Sequence, residues 1–301
     1  MIRIRLAITF AILSVTALTA VFLIESYSSG DDDLASKRYR RVAKKMDFKT
    51  ADFSQPAIPR EILDKVAAIS VATMSVIVLD IPVHVLYTKR NGTNSTNVVL
   101  LHGQAYSSAT WMELGTIQAL GAMGHAVVAI DLPGYGKTPA KGRIDKAVFL
   151  EKLMLELSFR PQDTVIISPS MSGAYSLAFL NKHPNLLKGF VPVAPVNTES
   201  FRSPPSKACS DSSNKEKKDL ITHPLLQRHA PWTLPDLSCY LTPTLVVFGE
   251  RDSSEFLQGC ALLNAMPRAG THMIPNGRHA AYRDDPQLWH TLLYNFLAAL
   301  Q

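Results

Sequence analysis

Short uninterrupted apolar runs at residues 98–101, 127–130, 165–167, 190–193 and 245–248 alternate with helical patterns at 111–121, 146–157, 172–180 and 255–265. A last run at 272–274 and a helical stretch at 286–300 complete the series, and no other feature narrows the fold as much. Strands that are apolar at every position are buried on both faces. Strand and helix in alternation therefore predict an α/β fold with a mostly parallel sheet and helices on both faces. Two β-rich runs at 71–79 and 83–88, joined at Asp80-Ile81-Pro82, come before this series. In such sheets chemistry gathers at the carboxyl ends of the strands, so the residues just beyond each apolar run are the ones to inspect.

After 165–167 comes Ser168-Pro169-Ser170-Met171-Ser172-Gly173, running straight into helix-compatible sequence. A strand, a sharp turn and a helix would lift the Ser170 hydroxyl clear of the sheet as a nucleophile elbow. Such a turn needs very small residues two positions to either side of the nucleophile, because strand and helix pass close together there. The usual glycines are Ser168 and Ser172 here, a departure that keeps the elbow sterically feasible. After 98–101 come His102-Gly103-Gln104, where an oxyanion loop would lie; Gln104 and Met171 are the candidate backbone donors to a developing oxyanion. Asp131, in the turn Asp131-Leu132-Pro133-Gly134-Tyr135-Gly136, reads as a turn-capping carboxylate. The run 245–248 leads into Gly249-Glu250-Arg251-Asp252, which offers two acids, and chain order alone does not choose between them. His279, in the loop before the last helix, is the candidate general base. Five other histidines read as structural: His102 within the oxyanion loop, His125 and His183 near helix ends, His272 at a strand start, and His290 on the last helix.

Several function classes are excluded by pattern. Gly134-Tyr135-Gly136-Lys137 lacks both the third glycine of a dinucleotide loop and the spacing of a phosphate-binding loop, and no histidine pair has metal-ligand spacing, so no cofactor or metal is expected. The formal net charge of +6 is concentrated in a run from Lys37 to Lys49, a flank with no interleaved aromatic groove, and no nucleic-acid partner is expected.

The amino terminus differs in kind. Residues 6–24 carry no charge, Pro or Gly and nearly span a bilayer core as a helix, which predicts a signal-anchor; the alternative is a cleaved signal peptide with Ser26-Tyr27-Ser28 at the cut. Arg3 and Arg5 favour a type II single pass in a secretory-pathway membrane, while the basic run beyond the span pulls the other way. Asn91 and Asn94 head glycosylation sequons. Three cysteines, Cys209, Cys239 and Cys260, imply no disulfide framework, although one pair could form in an oxidising lumen. These features divide the chain into a membrane segment (1–24), a stalk with a short helix near 61–68 (25–70) and a folded domain (71–301). Within that domain 199–237 is a Ser-, Lys- and Pro-rich insertion, read as disordered or as a lid.

Leu100-Leu101-His102-Gly103, Ser107-Ser108-Ala109-Thr110-Trp111, Ala129-Ile130-Asp131-Leu132-Pro133-Gly134, Ser168 to Leu177 and Gly189 to Pro195 together resemble the abhydrolase domain-containing protein fourteen family, of the α/β-hydrolase superfamily. The anchored amino terminus is closer to its membrane-bound A-type member. The doubled serine around the nucleophile is itself a trait of that family, and the likeness covers roughly residues 75–301. The resemblance implies an α/β-hydrolase fold and selects Asp252 over Glu250. It thus implies a Ser170–Asp252–His279 triad that cleaves small ester or acyl-amide substrates through an acyl-enzyme, with water or a thiol as acceptor. The competing expectation is a non-catalytic, membrane-tethered binding module built on the same body.

Overall fold

The computed structural model describes residues 47–89, 95–202, 220–231 and 234–301. The segment 6–24, Asn91 and Asn94 lie outside them, and among the described residues no helix is long and apolar enough to cross a membrane.

Eight strands form one sheet: β1 (Ala72–Val78), β2 (Ile81–Tyr87), β3 (Asn97–Leu100), β4 (Ala126–Ile130), β5 (Thr164–Pro169), β6 (Gly189–Val193), β7 (Thr244–Gly249) and β8 (Ala269–Ile274), in the order β1-β2-β4-β3-β5-β6-β7-β8. From β4 to β8 every pairing is parallel, whereas β2 runs antiparallel to both β1 and β4. The helices are α1 (Arg60–Leu63), α2 (Ser108–Glu113), α3 (Thr116–Ala122), α4 (Lys146–Glu156), α5 (Gly173–Lys182), α6 (Pro224–His229), α7 (Ser254–Asn264) and α8 (Pro286–Ala299).

The apolar strands sort by the two-residue period of a pleated strand. Val99, Ile166, Val246 and Phe248 face a core with Phe149 and Leu150 of α4, Leu177 of α5 and Leu263 of α7. Val98, Val165, Val191, Leu245 and Val247 face a second core with Trp111 of α2, Leu120 of α3 and Trp289 and Phe296 of α8. Both faces are covered, as continuous apolar strands require.

Four local expectations are corrected. The β1–β2 turn is Leu79-Asp80, both at positive φ, with Ile81 and Pro82 inside β2; Pro82 is tolerated because only β1 pairs with it there. The helix expected over 111–121 is two helices, divided at Gly115, whose φ of 71° suits glycine. The compact body begins at Asp47 rather than at residue 71. Phe48 and Phe53, each 2% exposed, pack edge-on against Phe296, and the Asn295 side-chain amide donates to the carbonyls of Phe53 and Pro56. Two aromatics within a charged, Pro-broken stretch carry no period, so this docking was invisible in the pattern. Finally, the flanks of the 199–237 insertion are built into the body. Phe201 is fully buried against Tyr240, and Ile221, Leu226 of α6 and Leu237 are buried; residues 203–219 and 232–233 are outside the described set.

Candidate active site

The carboxyl ends of β3, β5, β7 and β8 carry the groups singled out above. β5 ends at Pro169, residues 170–172 form one turn of 3-10 helix, and α5 starts at Gly173, so Ser170 stands at the corner between strand and helix. Its φ of 51° is a left-handed conformation that a non-glycine residue adopts only under external constraint. Much of that constraint is a hydroxyl cluster below the turn. Ser168 Oγ lies 2.6 Å from Ser176 Oγ and 3.0 Å from Ser172 Oγ, and the Ser172 hydroxyl donates to the Pro169 carbonyl at 2.7 Å. All three serines are fully buried. The two serines in the places of the usual glycines are thus accommodated because each hydroxyl has a partner, so burying it carries no unpaired-group penalty. Ser176 was missed in the sequence, although its spacing of four from Ser172 and eight from Ser168 was a usable signal. On the far side of the turn, Gly173 allows the Val196 carbonyl an approach that a Cβ would block at 2.4 Å.

The loop after β3 lies against the nucleophile candidate: a Cβ at Gly103 would sit 3.7 Å from Ser170 Cβ. His102 pins this loop. The Leu132 N–H donates to its Nε2 at 2.9 Å, which places the ring proton on Nδ1, 2.8 Å from the Gly103 carbonyl it donates to. Burial holds this imidazole below its ordinary pKa, so it acts as a neutral strut. Asp131 is a buried turn cap, as expected, accepting from the amides of Ser108 at 2.7 Å and Lys137 at 2.8 Å. Burial pushes its carboxyl up, but these two residues' hydrogen bonds outweigh that and hold it below the usual carboxylate value. Gly136 is required there, because a Cβ would meet the Asp131 carboxylate at 2.2 Å. Gln104 is exposed and its amide has no acceptor among the described residues; Met171 lies in the first turn beyond the elbow, where helix amides lack intrahelical acceptors.

Asp252 and His279 meet. His279 Nδ1 donates to Asp252 Oδ1 at 2.9 Å, and the Gly249 amide donates to Asp252 Oδ2 at 2.7 Å. The Asp252 side chain is wholly buried and that of His279 is 28% exposed. With Nδ1 carrying the proton, Nε2 is the basic nitrogen. Glu250 instead accepts from the Asn276 amide at 2.7 Å, so it braces the histidine loop from outside the pair. Phe256, from the start of α7, lies flat on His279, with ring centroids 3.7 Å apart at an interplanar angle of 10°. Among the described residues no hydrogen bond joins Ser170 to His279. The structure therefore brings the candidate acid and base into direct contact and the candidate nucleophile against the loop after β3, with both pairs at one edge of the sheet.

Other reactive groups are accounted for. Cys260 is a free, fully buried thiol whose pKa burial pushes well up, so it is no rival nucleophile; Cys239 is disulfide-bonded, which the sequence left open. His183 lies 2.8 Å from Glu151, and His290 lies 3.0 Å from the Thr116 hydroxyl. Among the described residues no three His, Cys, Asp or Glu side chains converge as metal ligands. A cavity of about 290 Å³ lined by Ile58, Ile62, Leu114, Met123 and His290 includes none of the three triad candidates.

Comparison with known proteins agrees with the fold. Residues 96–208 match the alpha/beta hydrolase fold family. The chain is 35% identical to Protein ABHD14A of Danio rerio over 207 residues, 67% of this chain and 64% of that protein, so it spans just under two thirds of that relative's length. It is 34% identical over 220 residues to the human protein named "Putative protein-lysine deacylase ABHD14B", covering 70% of this chain and 87% of the relative. The crystal structure of carboxylesterase CesB from Bacillus subtilis superposes with a TM-score of 0.54 at 16% identity, over 87% of this chain and 98% of that one, a likeness of fold alone. With the sheet order, the serine-flanked elbow and these identities in hand, the chain belongs to the ABHD14 family of α/β hydrolases.

Proposed function

We propose that this chain is a serine hydrolase that removes acyl groups from small ester or acyl-amide substrates through an acyl-enzyme on Ser170. The observation that carries the reading is the bond from His279 Nδ1 to the buried Asp252 carboxylate, which leaves Nε2 as the free base. Nε2 takes the hydroxyl proton as Ser170 Oγ attacks the acyl carbon, and Asp252 stabilises the imidazolium that forms. The amides of Gln104 and Met171 receive the carbonyl oxygen as it becomes an oxyanion, and each such donor lowers the barrier by about 3 kcal/mol. His279 then gives its proton to the departing alcohol or amine, and water or a thiol, deprotonated by the same Nε2, releases the acyl group. The name of the human relative favours an acyl-amide on lysine among the substrates. The bond from Ser170 to His279 would form in the substrate complex, since catalytic hydrogen bonds are often long or poorly aligned in substrate-free enzymes and tighten when substrate binds.

A fluorophosphonate probe tests the reading: native protein labels, and Ser170→Ala does not. Folded native protein that stays unlabelled would favour the non-catalytic binding module instead.

The reading extends to the compartment. Residues 6–24 serve as a single-pass, type II signal-anchor, with the folded body on the luminal side. The Cys239 disulfide supports an oxidising compartment. Glycosidase treatment of the cell-expressed protein should then increase its gel mobility, and Asn91→Gln with Asn94→Gln should abolish the change; unchanged mobility of the native chain argues against a luminal body.

A further inference from the structure

The His279 side chain is held at two points of different geometry. Its backbone and its Nδ1···Oδ1 bond to Asp252 fix the ends of the side chain, but a bond at the ring edge leaves the ring free to swing about the line joining those ends. That swing moves Nε2, the atom that must face Ser170, while leaving the Asp252 bond intact. Phe256 blocks it. A ring lying 3.7 Å away and within 10° of parallel covers one whole imidazole face, so a swing toward it drives the two rings into overlap and a swing away gives up the stacking contact. Phe256 is itself partly buried against the core beside α7, so it offers a backed surface rather than a mobile one. Its π-face also presents negative charge toward the imidazole, the sign that favours the imidazolium formed as the serine loses its proton.

We propose that Phe256 is a positioning residue of the triad, fixing the plane of the His279 imidazole and with it the direction of Nε2, the nitrogen that takes the Ser170 proton. This rests on the serine-hydrolase reading above. It differs from a packing role in requiring a flat aromatic group, not merely bulk, at this position.

The test compares Phe256→Ala, Phe256→Leu and Phe256→Tyr in the full chain, each assayed well below its melting temperature. Misplacing a reacting group by about 1 Å can cost up to ~100-fold in rate, so Phe256→Ala should lower kcat for p-nitrophenyl acetate, and the rate of fluorophosphonate labelling, by about 10-fold or more, with KM within about 2-fold. Phe256→Leu restores bulk without a ring and should stay near the alanine variant, whereas Phe256→Tyr should recover at least about half the native rate by keeping the ring. A second readout does not depend on activity. The ring protons of His279, assigned by their loss in His279→Gln, should lie upfield in the native protein because of the Phe256 ring current and move downfield in both Phe256→Ala and Phe256→Leu.

Phe256→Ala labelling at the native rate, or Phe256→Leu matching native protein, would overturn the proposal. Unshifted His279 protons in the native protein would remove its geometric basis. Native protein that labels at Ser170 while Phe256→Ala labels equally fast defeats this inference alone; native protein that never labels defeats the hydrolase reading first, with the ring-current measurement then reporting on the stack by itself.

Discussion

Glu250 and Asp252 are two acids, two residues apart, and the tertiary structure gives them separate tasks. Asp252 is buried on His279, and Glu250 grips the Asn276 amide at the surface. Asp252→Asn should therefore lower kcat by about 10³–10⁴-fold, because the amide misorients or mis-tautomerises the imidazole. Glu250→Gln should change kcat by less than about 3-fold, because a side-chain carbonyl can still accept from Asn276. Steady-state hydrolysis by both variants checks the assignment, and a reversal of the two effects would exchange their roles. Below the elbow, Ser176→Ala removes one of the two hydroxyl partners of Ser168 and should cost about 1 kcal/mol in chemical denaturation. Ser168→Ala, which deprives both Ser172 and Ser176 of a partner, should cost more.

At the scale of elements, the sheet acts as a frame whose carboxyl edge gathers loops from distant parts of the chain. Each strand ends in a loop that carries a site candidate: β3 in the loop of Gly103 and Gln104, β5 in the turn at Ser170, β7 in the loop of Asp252 and β8 in the loop of His279. Residues 274–277 turn back on themselves, the Gly277 amide donating to the Ile274 carbonyl and the Gly277 carbonyl accepting from the Arg251 amide, so the loop after β8 is folded onto the end of β7 and sets His279 against Asp252. The segment from Asp47 to Pro56 belongs to this frame and not to a tether. Phe53→Ala should thus destabilise the body by about 3–5 kcal/mol, as for a buried aromatic, whereas Asp52→Ala, at an exposed carboxylate that bonds Ser54 and has His272 as a weaker electrostatic neighbour, should stay within about 1 kcal/mol. Thermal denaturation of the two variants distinguishes a docked segment from a stalk.

For the whole molecule, stability against acid follows from its buried histidines. Burial, with Lys188 adding to it at His125, lowers the imidazole pKa of His125 and of His290 to about 4. The unfolded chain, with histidines near 6.5, therefore binds protons that the folded chain refuses. Stability from these two residues is complete above about pH 6.5 and falls as the pH drops toward 4, each contributing up to about 1.4 kcal/mol per pH unit in that window. Asp131, held below its ordinary value, contributes stability present above its unfolded pKa and lost only as the pH falls further, through its depressed folded value. Melting temperature should decline steadily from pH 6.5 to 4, and His290→Gln should make that decline shallower.

Strand and helix order was legible from the residues because each core strand is apolar at every position and short, a pattern that only a sheet covered on both faces satisfies. The Ser170 elbow was legible too, since a strand, a serine with small neighbours and a helix follow one another within ten residues. Local order could not choose between Glu250 and Asp252, could not show that Phe48 and Phe53 close over Phe296, and could not bring Phe256 onto His279. Those outcomes depend on which surfaces meet after the sheet has formed. Periodicity along a chain records which face of an element is buried; it does not record what that face is buried against, and at this edge of the sheet the chemistry depends on the latter.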